Sequence, residues 1–332
     1  MAAPSYPLSD HCDGRRFFNP GTHVNHHLAD LLRWRFTSRG EPWPKWVDLP
    51  RIWPLPERPQ TGLAATWINH STFLLQTPVA NVLIDPVYSN RAGPFSRFGP
   101  RRVHAPGVAF EALPKIDVVL VSHDHYDHCD IPTLTRLARA HAPVGITPLG
   151  NGPLLRAAGF TQVVELDWWG AHEPRSGLTV TVTPARHWSN RVRGPRNGRL
   201  WGGFHLRWAD AGAFHAGDTG TDPNFFRAIR ERLGAPDLAM LPIGGYEPRW
   251  FMAQAHCNPA EAVQIHRDLG SRRSVGMHWG CFRLTDESRE APVAALHRAL
   301  AEARVPQSDF SALFPGESVI LEGKAEGLNA EG

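Results

Sequence analysis

The residues best suited to chemistry in this chain lie together at Ser122-His123-Asp124-His125-Tyr126-Asp127-His128. Three histidines and two aspartates fall within six consecutive positions. Neutral imidazole nitrogen and carboxylate oxygen are ligand types that Zn²⁺ accepts, at about 2.0–2.2 Å. In an extended segment His123 and His125 point the same way, because side chains alternate with period two. Asp127 and His128 are adjacent, so they point apart and can reach a different centre. One short loop can therefore feed two metal ions. The chain holds 18 histidines, and most of them cannot be ligands. The spacing, not the number, carries the expectation.

The elements that must position this loop are legible around it. Ile116-Asp117-Val118-Val119-Leu120-Val121, immediately before it, has the length and β-branched content of a buried strand. The same relation recurs three times. Residues 178–183 alternate as a strand and stop at Pro184, and His187 follows within the next turn. Residues 202–208 and 213–217 read as a hairpin around Ala209-Asp210-Ala211-Gly212, with Asp218 directly behind it. Residues 274–277 form a short strand and His278 follows. Each of these groups sits just past the carboxyl end of an expected strand, the edge at which sites assemble in α/β sheets.

The rest of the chain supplies the frame. Residues 64–76 and 81–84 read as two strands joined at Thr77-Pro78, with Asp85-Pro86 ending the second. Residues 89–102 form a long loop whose Arg91, Arg97, Arg101 and Arg102 suit an anionic substrate or plain surface charge. Asp130 is expected to cap a helix with Pro132 in its first turn. A strand over 142–147, a short helix over 152–158 and a strand over 162–166 follow. Asp222 caps a helix over 223–233, and 238–243 is a strand. Asn258-Pro259-Ala260-Glu261 has the capping-box and proline-at-N1 pattern for a helix to Leu269, stopped by Gly270. A helix over 287–303 and a strand over 318–321 close the chain. This β-α-β-α-β texture predicts a layered α/β domain over 61–325.

Residues 1–60 read as an arm. Prolines at 42, 44, 50, 54, 56 and 59 exclude long regular elements, leaving one short helix across 28–34. Trp34, Trp43, Trp46 and Trp53 alternate with Arg33, Arg35, Arg39 and Lys45. Such mixtures occur at membrane surfaces. The prolines break the amphipathic period that a surface helix needs, so the arm is expected to pack its tryptophans on the main domain, with peripheral membrane contact as the alternative.

Composition narrows the class. A net charge of +3 is too small to imply a nucleic-acid partner. Lysine occurs only at 45, 115 and 324, so the positive charge is almost all arginine. Cys12, Cys129, Cys257 and Cys281 form no C-x-x-C or disulfide-framework pattern and read as reduced thiols in a cytoplasmic protein. Met1 to Tyr6 lack the charged and apolar regions of a signal peptide, and no apolar run approaches the ~20 residues needed to span a bilayer.

The His123 loop resembles the H-x-H-x-D-H signature of the metallo-β-lactamase-fold superfamily. That resemblance implies a four-layer αββα sandwich. It also implies two metals: His123, His125 and His187 on the first, Asp127, His128 and His278 on the second, and Asp218 bridging both. Two Zn²⁺ suit a His/Asp set without thiolate, with Mn²⁺ or Fe²⁺ as alternatives. A hydroxide spanning two such cations would be the nucleophile, so no Ser or Cys nucleophile is required. Asp127, Asp218 and His256 are the expected catalytic residues.

A narrower likeness rests on Trp67 to Gln76, Asp85-Pro86-Val87-Tyr88-Ser89, Pro184-Ala185-Arg186-His187-Trp188, Ala216-Gly217-Asp218-Thr219-Gly220, Gly244 to Met252 and Met277-His278-Trp279-Gly280. These runs resemble the N-acylphosphatidylethanolamine-hydrolysing phospholipase D branch and its bacterial relatives. The likeness covers roughly residues 60–290. It implies phosphodiester hydrolysis of a phospholipid-like or small diester substrate, with His256, Tyr246 and Arg249 at the substrate. Tyr246, Glu247 and Arg249 also fit a buried structural network. Two positions depart from the branch: Ala255 stands where Gln usually precedes the histidine, and Arg186 where eukaryotic members carry Gln. The sequence leaves the oligomeric state open, with a homodimer as one option. Competing readings are a lactonase or other carboxyl-ester hydrolase, a nuclease, and a non-catalytic metal-binding module.

Overall fold

The computed structural model describes residues 5–21 and 28–324. Met1 to Pro4, part of the segment judged against a signal peptide, lie outside the described residues. In chain order the strands are β1 (Leu63–Asn69), β2 (Thr72–Gln76), β3 (Asn81–Ile84), β4 (Val118–Leu120), β5 (Val144–Pro148), β6 (Val163–Leu166), β7 (Ala171–Arg175), β8 (Leu178–Thr183), β9 (Gly203–Trp208), β10 (Ala211–His215), β11 (Leu238–Pro242), β12 (Arg273–Met277), β13 (Phe310–Ala312) and β14 (Ser318–Leu321). They form two seven-stranded sheets, ordered β14-β1-β2-β3-β4-β5-β6 and β13-β12-β11-β10-β9-β8-β7. Both sheets are mixed: β3 to β6 run parallel, as do β10 to β13, and the remaining pairs are antiparallel.

The period of two decides which side each residue buries. Phe73 and Leu75, Val82 and Ile84, and Val118 and Leu120 face the second sheet and join Val180, Val182, Phe204, Leu206 and Met240 in one core. Their neighbours Leu74, Leu83 and Val119 face the other way, onto Leu134 and Leu137 of helix α2 (Ile131–His141) and Leu155 of helix α3 (Gly152–Ala157). Burial on both faces explains why these strands read as continuous apolar runs. Each such side chain contributes about 1.5–3 kcal/mol. Beyond the second sheet lie α4 (Pro223–Leu233), α6 (Pro259–Leu269) and α7 (Ala291–Ala303), which bury Phe226 and Ile229, Val263 and Ile265, and Leu296 and Leu300; the single turn α5 (Arg249–Met252) precedes α6 in the chain. The result is the four-layer αββα sandwich.

Local chemistry sets the helix ends. The Asp222 carboxylate accepts the Asn224 amide at the start of α4. Asn258 and Glu261 form a reciprocal capping box on α6, and Gly270 (φ 62) ends it in the left-handed region. Four expectations change. The run 64–76 is two strands, broken at His70-Ser71, where His70 adopts φ 44. Ala142 is the left-handed end of α2, so the following strand starts at Val144. Asp130 gives α2 no side-chain cap; its carboxylate takes the amides of Tyr88 and Ser89 instead. The last long helix begins at Ala291, with Pro292 in its first turn, and Glu287 lies before it with its carboxylate on the amides of Gly245 and Glu247.

The arm contributes helix α1 (Leu28–Thr37). Trp34 donates to Asp286 Oδ2 at 3.0 Å, Ser38 to Asp286 Oδ1 at 2.6 Å, and Trp43 to the Glu287 carbonyl at 2.9 Å. Trp34 also lies on Phe251, with ring centres 5.1 Å apart. Leu31, Leu32, Phe36 and Trp46 remain exposed. Among the described residues no helix is long and apolar enough to cross a membrane.

Candidate metal centre

Every one of the seven expected ligands lies at a strand end, and the two sheets bring these ends together. His123 to His128 follow β4, His187 follows β8, Asp218 follows β10 and His278 follows β12. Two sets of four donors result, each with its ligand atoms within 4.8 Å of one another: His123, His125, His187 and Asp218, and His70, Asp127, His128 and His278. Asp218 Oδ2 lies 3.2 Å from His128 Nε2 and 3.1 Å from His278 Nε2, and 3.7 and 4.0 Å from Nε2 of His187 and His123. It thus stands between the two sets. Asp127 Oδ2 lies 3.6 Å from His128 Nε2 and 3.4 Å from His278 Nε2.

The surrounding hydrogen bonds aim the rings. Ser122 Oγ donates to Asp85 Oδ2 at 2.6 Å, so it is free to accept from His123 Nδ1 at 2.9 Å. Asp85 Oδ2 also accepts from His128 Nδ1 at 2.8 Å, and the Ala255 carbonyl accepts from His187 Nδ1 at 3.0 Å. With Nδ1–H engaged outward, Nε2 is the nitrogen that all three rings turn toward the centre. His125 presents Nδ1, 3.0 Å from His123 Nε2 and 3.1 Å from His187 Nε2. A tetrahedral cation with ligands at about 2.0–2.1 Å separates its nitrogens by about 3.3 Å. Buried atoms without any hydrogen-bond partner include His128 Nε2, Asp218 Oδ1, His256 Nδ1 and both ring nitrogens of His278. Each would cost about 1–3 kcal/mol if left so. The donors fit metal cations.

The backbone is held in uncommon conformations here. His70 (φ 44), Asp85 (φ 43) and His278 (φ 61) are non-glycine residues in the left-handed region, and such conformations persist where surrounding structure over-determines them. Gly245 (φ 80) approaches His278 so closely that a Cβ would meet its ring at 2.9 Å.

The charges are mutually compensated. Burial pushes Asp218 up, but the His128 and His278 rings outweigh it and hold the carboxyl well below its usual range. Asp127 is likewise held low against burial, chiefly by His128 and His278. Burial opposes protonation of His278, yet Asp218 and Asp127 push it up to about 9. Burial takes His125 down to about 4, and His187 and His256 to about 3, so these rings are neutral. A cation entering the site would displace protons from His128 and His278.

The site opens into a cleft of about 510 Å³, lined among others by Leu31 and Trp34 of α1, Trp188, Arg196, Phe251 and His256. His256 Nδ1 is 3.9 Å from Asp218 Oδ2. Tyr246 and Arg249 are not among the lining residues. Arg249 makes a bidentate pair with Glu261 and donates to the carbonyls of Tyr246 and His256, so it shapes the turn before α6 and carries His256. Arg102 of the long loop is buried on the carbonyls of Val87 and Ser89, and Arg91 bonds the Gly99 carbonyl; neither lines the cleft. Arg186 pairs with Asp222. Cys129 and Cys281 are buried fillers beside ligands.

Sequence reasoning missed five contributors. Asp85 and His70 stand inside runs already singled out, I-D-P and W-I-N-H-S-T, and their position at the ends of β3 and β1 was the available signal. Asp124 and Arg199 form a largely buried ion pair at 2.9 Å, and Arg191 donates to the carbonyls of Asp124 and Cys129, so the 190–199 loop braces the ligand loop. Nothing in the local spacing indicates that pairing.

Comparison with known proteins agrees with the geometry. The family described as "Beta-lactamase superfamily domain" matches residues 80–279. The chain is 38% identical over 262 residues to N-acyl-phosphatidylethanolamine-hydrolyzing phospholipase D 1 of Caenorhabditis elegans, covering 76% of this chain and 73% of the relative. It is 40% identical over 262 residues to an uncharacterized protein of Mycobacterium tuberculosis, covering 77% and 68%. Among solved structures, a metallo hydrolase of the archaeon Ignicoccus hospitalis superposes with a TM-score of 0.59 at 23% identity, over 80% of this chain and 100% of that one.

Proposed function

The chain belongs to the metallo-β-lactamase-fold superfamily of metal-dependent hydrolases, in the branch related to N-acylphosphatidylethanolamine-hydrolysing phospholipase D, and from that premise we propose that it is a two-cation phosphodiesterase acting on N-acylphosphatidylethanolamine-like lipids. The observation that carries this reading is Asp218 Oδ2, which stands between two sets of imidazole donors at the floor of an apolar-walled cleft.

His123, His125 and His187 would hold one cation, Asp127, His128 and His278 the other, and Asp218 both. Zn²⁺ suits this donor set. When bound, such a pair supplies Lewis acidity to a phosphoryl oxygen and makes water nucleophilic near neutral pH. The protein then positions the substrate. Arg196, whose guanidinium lies 4.9 Å from the Trp188 ring centre, brings positive charge to the cleft wall for the diester anion. Neutral His256 is placed to hydrogen-bond the phosphoryl group or the departing oxygen. Leu31, Trp34, Trp188 and Phe251 form an apolar wall that suits acyl chains.

The same reading gives α1 a place at a lipid surface. Leu31, at the cleft, and Leu32 and Phe36 of the same helix are exposed, as is Trp250, over which Arg33 lies at 4.6 Å. A peripheral docking face of this composition meets lipid head groups with the arginine and acyl chains with the apolar residues.

The test is a substrate panel on metal-replete protein: an N-acylphosphatidylethanolamine in mixed micelles, a lactone and an RNA. The reading expects release of the N-acylethanolamine alcohol from the lipid, with negligible turnover of the others. Turnover confined to the lactone would replace the phosphodiester assignment.

A further inference from the structure

His70 lies in none of the seven expected ligand positions, yet it touches the second donor set twice. Its backbone turns through φ 44 between β1 and β2, which directs the ring inward. Its carbonyl accepts both Trp67 Nε1–H at 2.7 Å and the His278 amide at 3.0 Å. Its ring Nε2 lies 3.0 Å from Asp127 Oδ2, the same oxygen that faces Nε2 of His128 and His278. The ring centre is 4.1 Å from that of His278, and Phe282 closes the far side edge-on at 5.3 Å. One residue at a β-turn thus fixes the backbone of one donor and the side chain of another, from two different sheets.

Its proximity also makes His70 a candidate ligand in its own right, and the hydrogen bonding distinguishes the two roles. The side chain is 1% exposed, and Nδ1 is buried without a partner. A proton on Nδ1 would bury an orphan N–H and set two acceptors, Nε2 and Oδ2, face to face at 3.0 Å. A proton on Nε2 makes that contact a hydrogen bond and leaves only a lone pair unpaired. The Nε2–H tautomer is therefore the stable one, and a protonated Nε2 has no lone pair for a cation.

We propose that His70 is a positioning residue for Asp127: its Nε2–H holds Oδ2 toward the second cation, and the ring is not itself a ligand. This role rests on the two-cation reading above. Orienting partners of this kind typically govern metal affinity by 10–100-fold.

The experiment titrates metal-free wild type, His70→Leu and His70→Gln with Zn²⁺ against a chromophoric chelator, and records ¹⁵N NMR of the Zn²⁺-loaded wild type. Leucine keeps the bulk and removes the donor; glutamine keeps an N–H that reaches Asp127. Wild type is expected to bind two equivalents. His70→Leu should keep the first affinity, which also reports an intact fold, and lose roughly 10–100-fold on the second. His70→Gln should stay within about threefold of wild type on both, well short of that loss. The NMR should show His70 protonated at Nε2. An unchanged second affinity in His70→Leu overturns the role. So does a His70→Gln variant as weak as the leucine variant, or a deprotonated His70 Nε2, since either marks the ring as a ligand. A wild type that takes up only one equivalent overturns the two-cation reading instead.

Discussion

The carboxylate of Asp85 accepts a 2.8 Å hydrogen bond from Nδ1 of His128, and neither side chain has any solvent exposure. Asp85 comes from the end of β3 and His128 from the loop after β4, so adjacent parallel strands supply a ligand and the group that orients it. The same carboxylate takes the Ser122 amide and hydroxyl. It therefore sets the tautomer of His128 directly and that of His123 through Ser122. Asp85→Asn preserves volume but removes one acceptor. Its affinity for the cation on His128 should fall about 10–100-fold, read by competition with a chelator. An unchanged affinity would show that His128 needs no orienting partner.

The Asp286 side chain ties helix α1 to the body, alongside the contacts of Trp34 with Phe251 and Arg33 with Trp250. Asp286 receives Trp34 Nε1 and Ser38 Oγ on its two oxygens. Asp286→Ala should loosen the cleft wall formed by Leu31 and Trp34, raising KM for a micellar lipid several-fold while leaving kcat on a short-chain soluble diester within about twofold. Leu31→Ser with Phe36→Ser removes apolar surface worth about 2 kcal/mol, so vesicle binding in a flotation assay should weaken roughly 30-fold. Vesicle binding equal to wild type would detach α1 from any lipid contact.

Arg199 and Asp124 brace the ligand loop from outside. The Asp124 side chain is 1% exposed, and its other oxygen accepts the Asn190 amide. Arg199→Leu leaves that carboxylate buried with its charge partner gone, at a cost of about 3 kcal/mol in urea unfolding. The double variant Arg199→Leu, Asp124→Leu should lose less than the single one, because no charge is then stranded. A single variant as stable as wild type would show that the pair braces nothing.

How much of this was readable from residue order depended on the range of the interaction. The H-x-H-x-D-H spacing, the strand before it and the Asn258 cap are local patterns, and each appears where the local chemistry requires it. The alternating or continuous apolar runs identified most strands for the same reason. The edge strand β7, Ala-His-Glu-Pro-Arg, is polar and carries a proline, so it had no such signal. His70 was read as mid-strand, because a left-handed residue that is not glycine leaves no compositional trace. Arg249 and Tyr246 were expected at the substrate because the 244–252 run resembles the phospholipase D branch; the turn folds Arg249 back onto Glu261, and neither residue lines the cleft. The Arg199–Asp124 pair joins positions 75 apart, which no spacing argument reaches.

Acid stability offers a test away from the metal-binding residues. Burial pushes His104 and His205 down to about 4 from an ordinary imidazole value of 6.5. Both are neutral in the folded chain, and in the unfolded chain they take up protons below pH 6.5. Their contribution is therefore complete above pH 6.5 and is lost as pH falls toward 4, by up to about 1.4 kcal/mol per pH unit for each group. His104→Gln and His205→Gln should each flatten the fall of the urea midpoint between pH 6.5 and 4. Parallel curves for variant and wild type would contradict the assignment.

The central claim is that seven side chains from four strand ends hold two cations that share Asp218. Metal analysis of the purified protein, paired with anomalous diffraction at the metal edge, measures this directly. The account predicts two equivalents per chain and two peaks, one among His123, His125 and His187 and one among Asp127, His128 and His278, both touching Asp218. Asp218→Asn should drop the content to one equivalent or fewer and turnover by on the order of 10³-fold. A wild-type chain with a single peak, or an Asp218→Asn chain that keeps two metals and full turnover, would contradict it.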